Sequence, residues 1–427
     1  MNSSAPAVVD RTARRNVGLL AACQAMLFTN NSTLISINGL AGFALAPHVG
    51  LATLPVTCWI LGGALATMPA SLHMKRVGRQ RGLSSGILWG VVGALLCAGA
   101  MWQQSFWLLC FGTLVWGVYN AYGQYYRFAA ADMASGDFKA TAISLVLAGG
   151  LVGGILGPTI SRFTVGFFDT KFMGAYLGLI AFALVAMVLL RFIEIPNPTA
   201  AEQAASGRPL AEIARQPRFI VAVLSGALGY GVMNFIMTST PISMGVCGHP
   251  YADAALVISS HVVAMFAPSF VTGRLIKSWG VLTVMFIGAL LNLASIGIAL
   301  SGISVAHFWA ALVTLGVGWN FLYIGGTTLL TETYRPEERA KAQGANDQAI
   351  FIMMAISSFT SGLTVTSSGW ERVNLFALPW IALISMAIGW YALRARVHRV
   401  PAYGQGDQRD ERQREQVDAL PAAGRHR

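Results

Sequence analysis

Apolar residues fill twelve stretches of the chain, near 16–42, 51–73, 84–101, 106–130, 140–162, 172–193, 217–241, 253–275, 281–302, 305–330, 342–367 and 371–394. A helix needs ~20 apolar residues to cross a bilayer. These stretches are therefore expected to be twelve transmembrane helices, numbered 1 to 12 in that order. A polar, Ala-rich interval from Glu194 to Gln216, with Pro196, Pro198 and Pro209, parts them into two sets of six. From Val397 onward the chain is charged and lacks any apolar period, as a disordered tail would be. The expected organisation is an N-terminal tail (1–15), a six-helix bundle (16–193), a linker (194–216), a second bundle (217–396) and a tail (397–427). The first stretch has features of a secretory signal, with Arg11, Arg14 and Arg15 before it and Ala44-Leu45-Ala46 near its end. It is too long for one, is interrupted by Asn30-Asn31-Ser32, and would place Pro47 just past the cut. A retained helix is expected.

Composition agrees. Of 427 residues, 55% are hydrophobic and 11% charged, with a mean hydropathy of +0.58. Soluble domains carry roughly 25% charged residues, so several solvated cores are excluded and the fold class is an all-α polytopic membrane protein. The net charge of +11 raises nucleic acid as a partner, but the basic residues cluster in short joints between apolar stretches. With the N-terminus inside, only Arg162, Lys171 and Arg372 of the 29 Lys and Arg fall on the outer side. Both termini are thus expected in the cytoplasm. Cys23, Cys58, Cys97, Cys110 and Cys247 show no paired spacing, so neither a disulfide framework nor a metal site follows.

The chain also repeats itself. Ser71 to Gly78 recurs as Gly273 to Gly280. Asn31 pairs with Asn234, Asn120 with Asn320, Asp132 with Glu332 and Lys139 with Arg339, all at offsets of 200 to 203. A common register across separate helices indicates duplication of a six-helix unit. Together with Gly78-Arg79, the Gly273-x-Leu275-x-x-x-x-Gly280 loop, and Gly153 through Gly157-Pro158, this resembles the Major Facilitator Superfamily from about Arg15 to Arg394. Met237-Thr238-Ser239-Thr240-Pro241 with Gly248-His249, and the run from Gly318 to Gly326, resemble a poorly characterised bacterial subset. Two positions depart from the family pattern. Lys75, whose repeat mate is Lys277, stands where the helix 2–3 loop usually has an acid. Thr113 stands where an arginine is common in helix 4.

The resemblance implies that helices 1, 4, 7 and 10 line a central cavity. Each carries an amide near its middle: Asn30 and Asn31, Asn120, Asn234 and Asn320. A polar amide facing lipid has no partner, so these are candidates for substrate contact, the alternative being hydrogen bonds that hold helices together. Helix 4 also carries Tyr119, Tyr122 and Tyr126 on one face, with Asn120, Gln124 and Arg127 on an adjacent one; helix 10 carries Trp319 and Tyr323. Aromatic faces with hydroxyls and amides suit a planar, mostly uncharged solute, and helix packing is the alternative. Arg127 either draws an anionic group into the cavity or reaches the cytoplasmic face to pair with Asp132. Asp347 is the carboxylate clearly within an apolar stretch, and His261 the histidine within one. Both are candidates for proton coupling or gating. Lys75 and Lys277 are gating candidates, with Lys75 expected either to pair with Asp347 or to stay solvated.

No phosphate-binding loop, catalytic cluster or cofactor motif is present in the sequence. The expected function is a secondary active transporter of the inner membrane working by alternating access, not an enzyme. It would carry a small aromatic or amphipathic solute; among nutrients, a flavin-like vitamin such as riboflavin fits. Efflux of drugs or metabolites, and a non-transporting solute receptor, are the rival readings. Expected partners are a small-molecule substrate and the lipid bilayer, with no nucleic acid and no cofactor. Proton coupling is open, and a monomer is expected.

Overall fold

The computed structural model describes residues 5–48, 51–134, 138–195 and 207–397. The first half runs α1 (Ala5–Leu45), α2 (Leu54–Val77), α3 (Arg79–Trp102), α4 (Phe106–Gly123), α5 (Tyr126–Met133), α6 (Lys139–Thr164) and α7 (Met173–Arg191). The second runs α8 (Leu210–Ala214), α9 (Pro217–Val246), α10 (Tyr251–Phe266), α11 (Ser269–Trp279), α12 (Val281–Ser301), α13 (Val305–Leu330) and, after a 3-10 turn at Pro336–Glu338, α14 (Arg339–Val397). No strand occurs among the described residues.

Every expected apolar stretch coincides with a helix or a helix pair. Nine described helical segments are long and apolar enough to cross a bilayer alone, and α10–α11, bent by 42°, makes a tenth. α1 and the broken pair α4–α5 occupy the two remaining positions. Pro268 explains the α10–α11 bend, since it lacks an N–H and its ring crowds the preceding turn. α14 turns at Gly369, where φ is 75°, and so serves as two spans. α1 begins at Ala5, so part of the expected N-terminal tail is helical. Residues 196–206 of the linker and the tail from 398 onward lie outside the described residues.

Polarity is arranged for a hydrocarbon surround. Leu65, Phe163, Phe359 and Leu393 are each more than 60% exposed, while Asn30, Asn38, Asn292 and Asn374 are fully buried. Lipid tails accept such apolar surface without cost, and helices then associate through close packing and hydrogen bonds. In the first half α1 packs on α6 and α7, and α4 on α2 and α3; in the second α9 packs on α13 and α14, and α12 on α13. Two seams join the halves: α2 against α14, and α6 against α10 and α11.

The repeat is visible in the backbone. Gly78 ends α2 at φ 90°, ψ 155°, and Gly280 ends α11 at φ 83°, ψ 151°. That region is open essentially to glycine alone, so the same sharp turn is written twice. At the end of the bundle bearing these turns the seams are tight. Ser71 Oγ donates to the Ala340 carbonyl at 2.9 Å, the Gly273 N–H donates to Ser144 Oγ at 3.1 Å, and Ser144 Oγ donates to the Ser269 carbonyl. Arg79 Nη2 lies 2.7 Å from Asp132 Oδ2 and 2.5 Å from Gln343 Oε1, and Arg339 Nε lies 3.6 Å from Asp132 Oδ1. Asp132 therefore ties the two halves together. Beyond it, Arg208 in the linker grips the buried Glu338 through three hydrogen bonds, from its backbone N–H and Nε at 2.8 Å and from Nη2 at 2.7 Å.

Within the first half, Gly149, Gly153 and Gly157 on α6 lie directly against the backbone of α1. Spacing by four puts them on one face and lets the helices approach closely. A Cβ at Gly153 would strike the Thr29 amide, whereas at Gly166 it would meet nothing within 4 Å. Gly153→Val is thus expected to destabilise the purified protein by about 1–3 kcal/mol, in the range of overpacked cores, and Gly166→Val by much less. Thermal unfolding in detergent measures both; equal shifts would refute the close-packing account.

Candidate functional site

Between the halves lies a cavity of about 420 Å³, within the roughly 300–1,000 Å³ usual for sites that hold small organic molecules. The first half lines it with Phe28 and Asn31 of α1, Trp59 of α2, Asn120 of α4 and Gln124 just beyond it. The second half contributes Tyr230 and Asn234 of α9, Phe266 of α10, Tyr323 of α13, and Asp347 and Phe351 of α14. Ile, Val and Met side chains make up most of the apolar wall, six aromatic rings are set among them, and amides interrupt it.

The amides are connected. Asn31 Nδ2 donates to Asn120 Oδ1 at 2.8 Å, and Asn234 Nδ2 donates to Ser357 Oγ at 2.9 Å. Tyr323 OH reaches Gln124 Oε1 at 3.3 Å, bridging the halves. Where α4 ends at Gly123, the carbonyl of Gln124 is released from the helix ladder, as helix ends require. Arg127 Nη1 donates to it at 2.7 Å. Arg127 Nη2 pairs with Asp347 Oδ1 at 2.5 Å, both side chains almost fully buried. The guanidinium also lies over the rings of Phe128 and Tyr323, 4.5 and 4.9 Å from their centroids. This pair closes the cavity floor between α5 and α14. Behind the wall Trp319 stacks on Tyr323 at 4.9 Å and 15°, and Tyr230 meets both edge-on, fixing the ring that faces the cavity.

The sequence-expected residues divide. Asn31, Asn120, Asn234, Tyr323 and Asp347 meet in the cavity wall. Tyr119 and Tyr122 lie against Gly90 and Gly86 of α3, because those glycines admit a ring where any side chain would clash. With Tyr126 and Asn30 they are buried in the first half and absent from the cavity wall. Asn320 is consumed by Thr272 Oγ1, Ser269 Oγ and the Met265 carbonyl, each at 2.7 Å, so it holds α13 to the bent α10–α11 pair. His261 is buried with Nδ1 against the Leu312 carbonyl at 2.6 Å, also outside the wall. Two expected pairings are corrected. Arg127 pairs with Asp347 rather than Asp132, which is already held by Arg79 and Arg339. Asp347 is thereby engaged away from Lys75, which stands half-buried at the end of α2, while Lys277 is exposed at the end of α11. Gln124, Tyr230 and Trp59 line the cavity without having been singled out; the first shared the polar face of helix 4, and the other two carried no periodic signal.

Two helical halves, joined along two seams and closed at one end below a central cavity, make a membrane carrier. The model of the Major Facilitator Superfamily matches residues 20–358 and 246–418. The chain is 43% identical, over 88% of its length and 96% of the relative's, to the riboflavin transporter RfnT of Brucella anthropi. It is 29% identical, over 84% and 87%, to an uncharacterized MFS-type transporter, YddS, of Bacillus subtilis. Among solved structures it resembles the MFS transporter FucP in the outward conformation, with a TM-score of 0.71 at 17% identity, covering 88% of this chain and 98% of that one. A bacterial homologue of the iron transporter ferroportin in the outward-facing state also gives 0.71, at 11% identity over 88% and 99%. The chain belongs to the Major Facilitator Superfamily and is a multi-pass secondary transporter of a small-molecule substrate.

Removing one member of a buried ion pair strands the other, at a cost of about 3–5 kcal/mol, whereas replacing both with apolar groups is often neutral. Arg127→Met is therefore expected to lower the unfolding temperature sharply, and Arg127→Met with Asp347→Leu to restore most of it. Additive losses would contradict the pairing.

Proposed function

We propose that the chain carries riboflavin or a close flavin inward across the inner membrane by alternating access. The observation that carries this reading is the cavity itself. It offers flat aromatic faces, neutral amides, and a single charge pair that is already compensated. A planar, polar-edged, uncharged ring system matches that lining. The 43% identity to a riboflavin transporter supports the same class of solute.

On this reading both termini and the Gly78 and Gly280 turns are cytoplasmic, as the distribution of basic residues favours. The tight end then faces the cytoplasm, and the state described is outward-facing. The carrier acts as a monomer, and transport rather than catalysis is its whole activity. Substrate contact falls to Asn31, Asn120, Asn234 and Tyr323, with Gln124, Tyr230 and Trp59. Coupling to protons, where uphill movement is found, falls to the Arg127–Asp347 pair, because His261 is not in the cavity wall.

The test is uptake of radiolabelled riboflavin by proteoliposomes holding the purified chain. Uptake above that of empty vesicles is expected, and Asn120→Ala should lower it about tenfold, the worth of one buried hydrogen bond, while folded yield is kept. Uptake equal to that of empty vesicles would reject the assignment.

A further inference from the structure

The hydrogen-bond capacity left unused in the cavity wall is uneven. Asp347 Oδ1 is taken twice, by Arg127 Nη2 at 2.5 Å and by Asn346 Nδ2 at 2.8 Å. Its Oδ2 is buried and has no partner. Asn31 spends its amide N–H on Asn120, and its Oδ1 is likewise buried without a partner. Both residues line the cavity. The indole Nε1 of Trp59, also in the wall, is a donor without an acceptor. Buried polar atoms are nearly always satisfied, and these three, shielded from water, belong to residues of the cavity wall, where an occupant pressed against the wall can meet them. Two unmet acceptors and one unmet donor call for a solute bearing N–H or O–H groups together with a carbonyl.

The acceptors differ in strength. Asp347 is held by a guanidinium that itself rests on Phe128 and Tyr323 and on the Gln124 carbonyl. That cage fixes the carboxylate through Oδ1 and leaves Oδ2 as a charge-bearing acceptor of fixed position. Hydrogen bonds to an ionised acceptor are shorter and about twice as strong as neutral ones. A solute without a donor at this point would leave Oδ2 desolvated and unpaired, and that penalty is what gives a polar site its selectivity.

We infer that Asp347 is a specificity-determining residue whose free Oδ2 accepts the imide N–H of the flavin ring, so that the carrier selects solutes by an amide-like donor edge. The inference rests on the riboflavin reading. It assigns Asp347 a direct recognition role, with Arg127 as the positioning residue behind it.

The experiment compares binding of riboflavin and N3-methylriboflavin, in which the imide N–H is replaced by a methyl, to the purified full-length chain by flavin fluorescence quenching. The unaltered protein should bind the methylated form about 10- to 100-fold more weakly. In Asp347→Asn the discrimination should fall to within about threefold, because the charged acceptor is gone. If that variant folds poorly, Arg127→Gln with Asp347→Asn keeps two neutral groups of similar size, and the same loss of discrimination is expected. Discrimination that persists in the variants would mean that the methyl merely collides, and would overturn the inference. Equal binding of both flavins by the unaltered protein would overturn it too, leaving the riboflavin reading intact. Failure to bind riboflavin at all would remove both.

Discussion

Hydrocarbon offers no hydrogen bonds, and that single lack decides where each polar side chain of this carrier can sit. An amide turned toward lipid would cost several kcal/mol, so intramembrane amides are drawn to the bundle interior, to partner helices or to the cavity. The structure uses both solutions. Asn320 spends all its capacity on Thr272, Ser269 and Met265, and so serves only to hold helices together. Asn31 donates to Asn120, and both border the cavity. The buried Arg127–Asp347 pair is the extreme case, since neither charge could remain without the other.

Much of the fold was legible because that same lack imposes a strong pattern. Apolar stretches long enough to cross a bilayer gave the twelve helical positions, and the repeat around Gly78 and Gly280 corresponds to two turns of nearly identical backbone geometry. Helix breaks were less visible. Pro268 signals one in advance, but the end of α4 at Gly123 lies in a stretch whose residues read as continuous helix.

The site was half legible, for a definable reason. Sequence places residues on a helix face but does not say which neighbour that face meets. Tyr119 and Tyr122 have the chemistry to meet a solute, yet Gly90 and Gly86 make room for them on α3. Those glycines were the available signal, and it could be read only once α3 and α4 were known to be neighbours. The alternative in which Arg127 pairs with Asp132 fails because Asp132 is held by Arg79 and by Arg339, which arrives from the other half, out of sight of sequence proximity. Cross-half partners such as Arg127 and Asp347, or Gln124 and Tyr323, are invisible to any local pattern.

The tight end of the bundle has one more property. Its seams are made largely from small residues, Ser71 and Gly344 on one side and Ser144 and Gly273 on the other, with the Met68 side chain laid against Gly344. Interlocked long side chains would have to change rotamer one after another as the halves part. Surfaces this smooth can separate as rigid plates. The resistance to opening is then concentrated in a few polar fasteners around Asp132, whose strength falls as ionic strength rises once water reaches them. The halves meet at this end like two plates held by clips rather than by a zip.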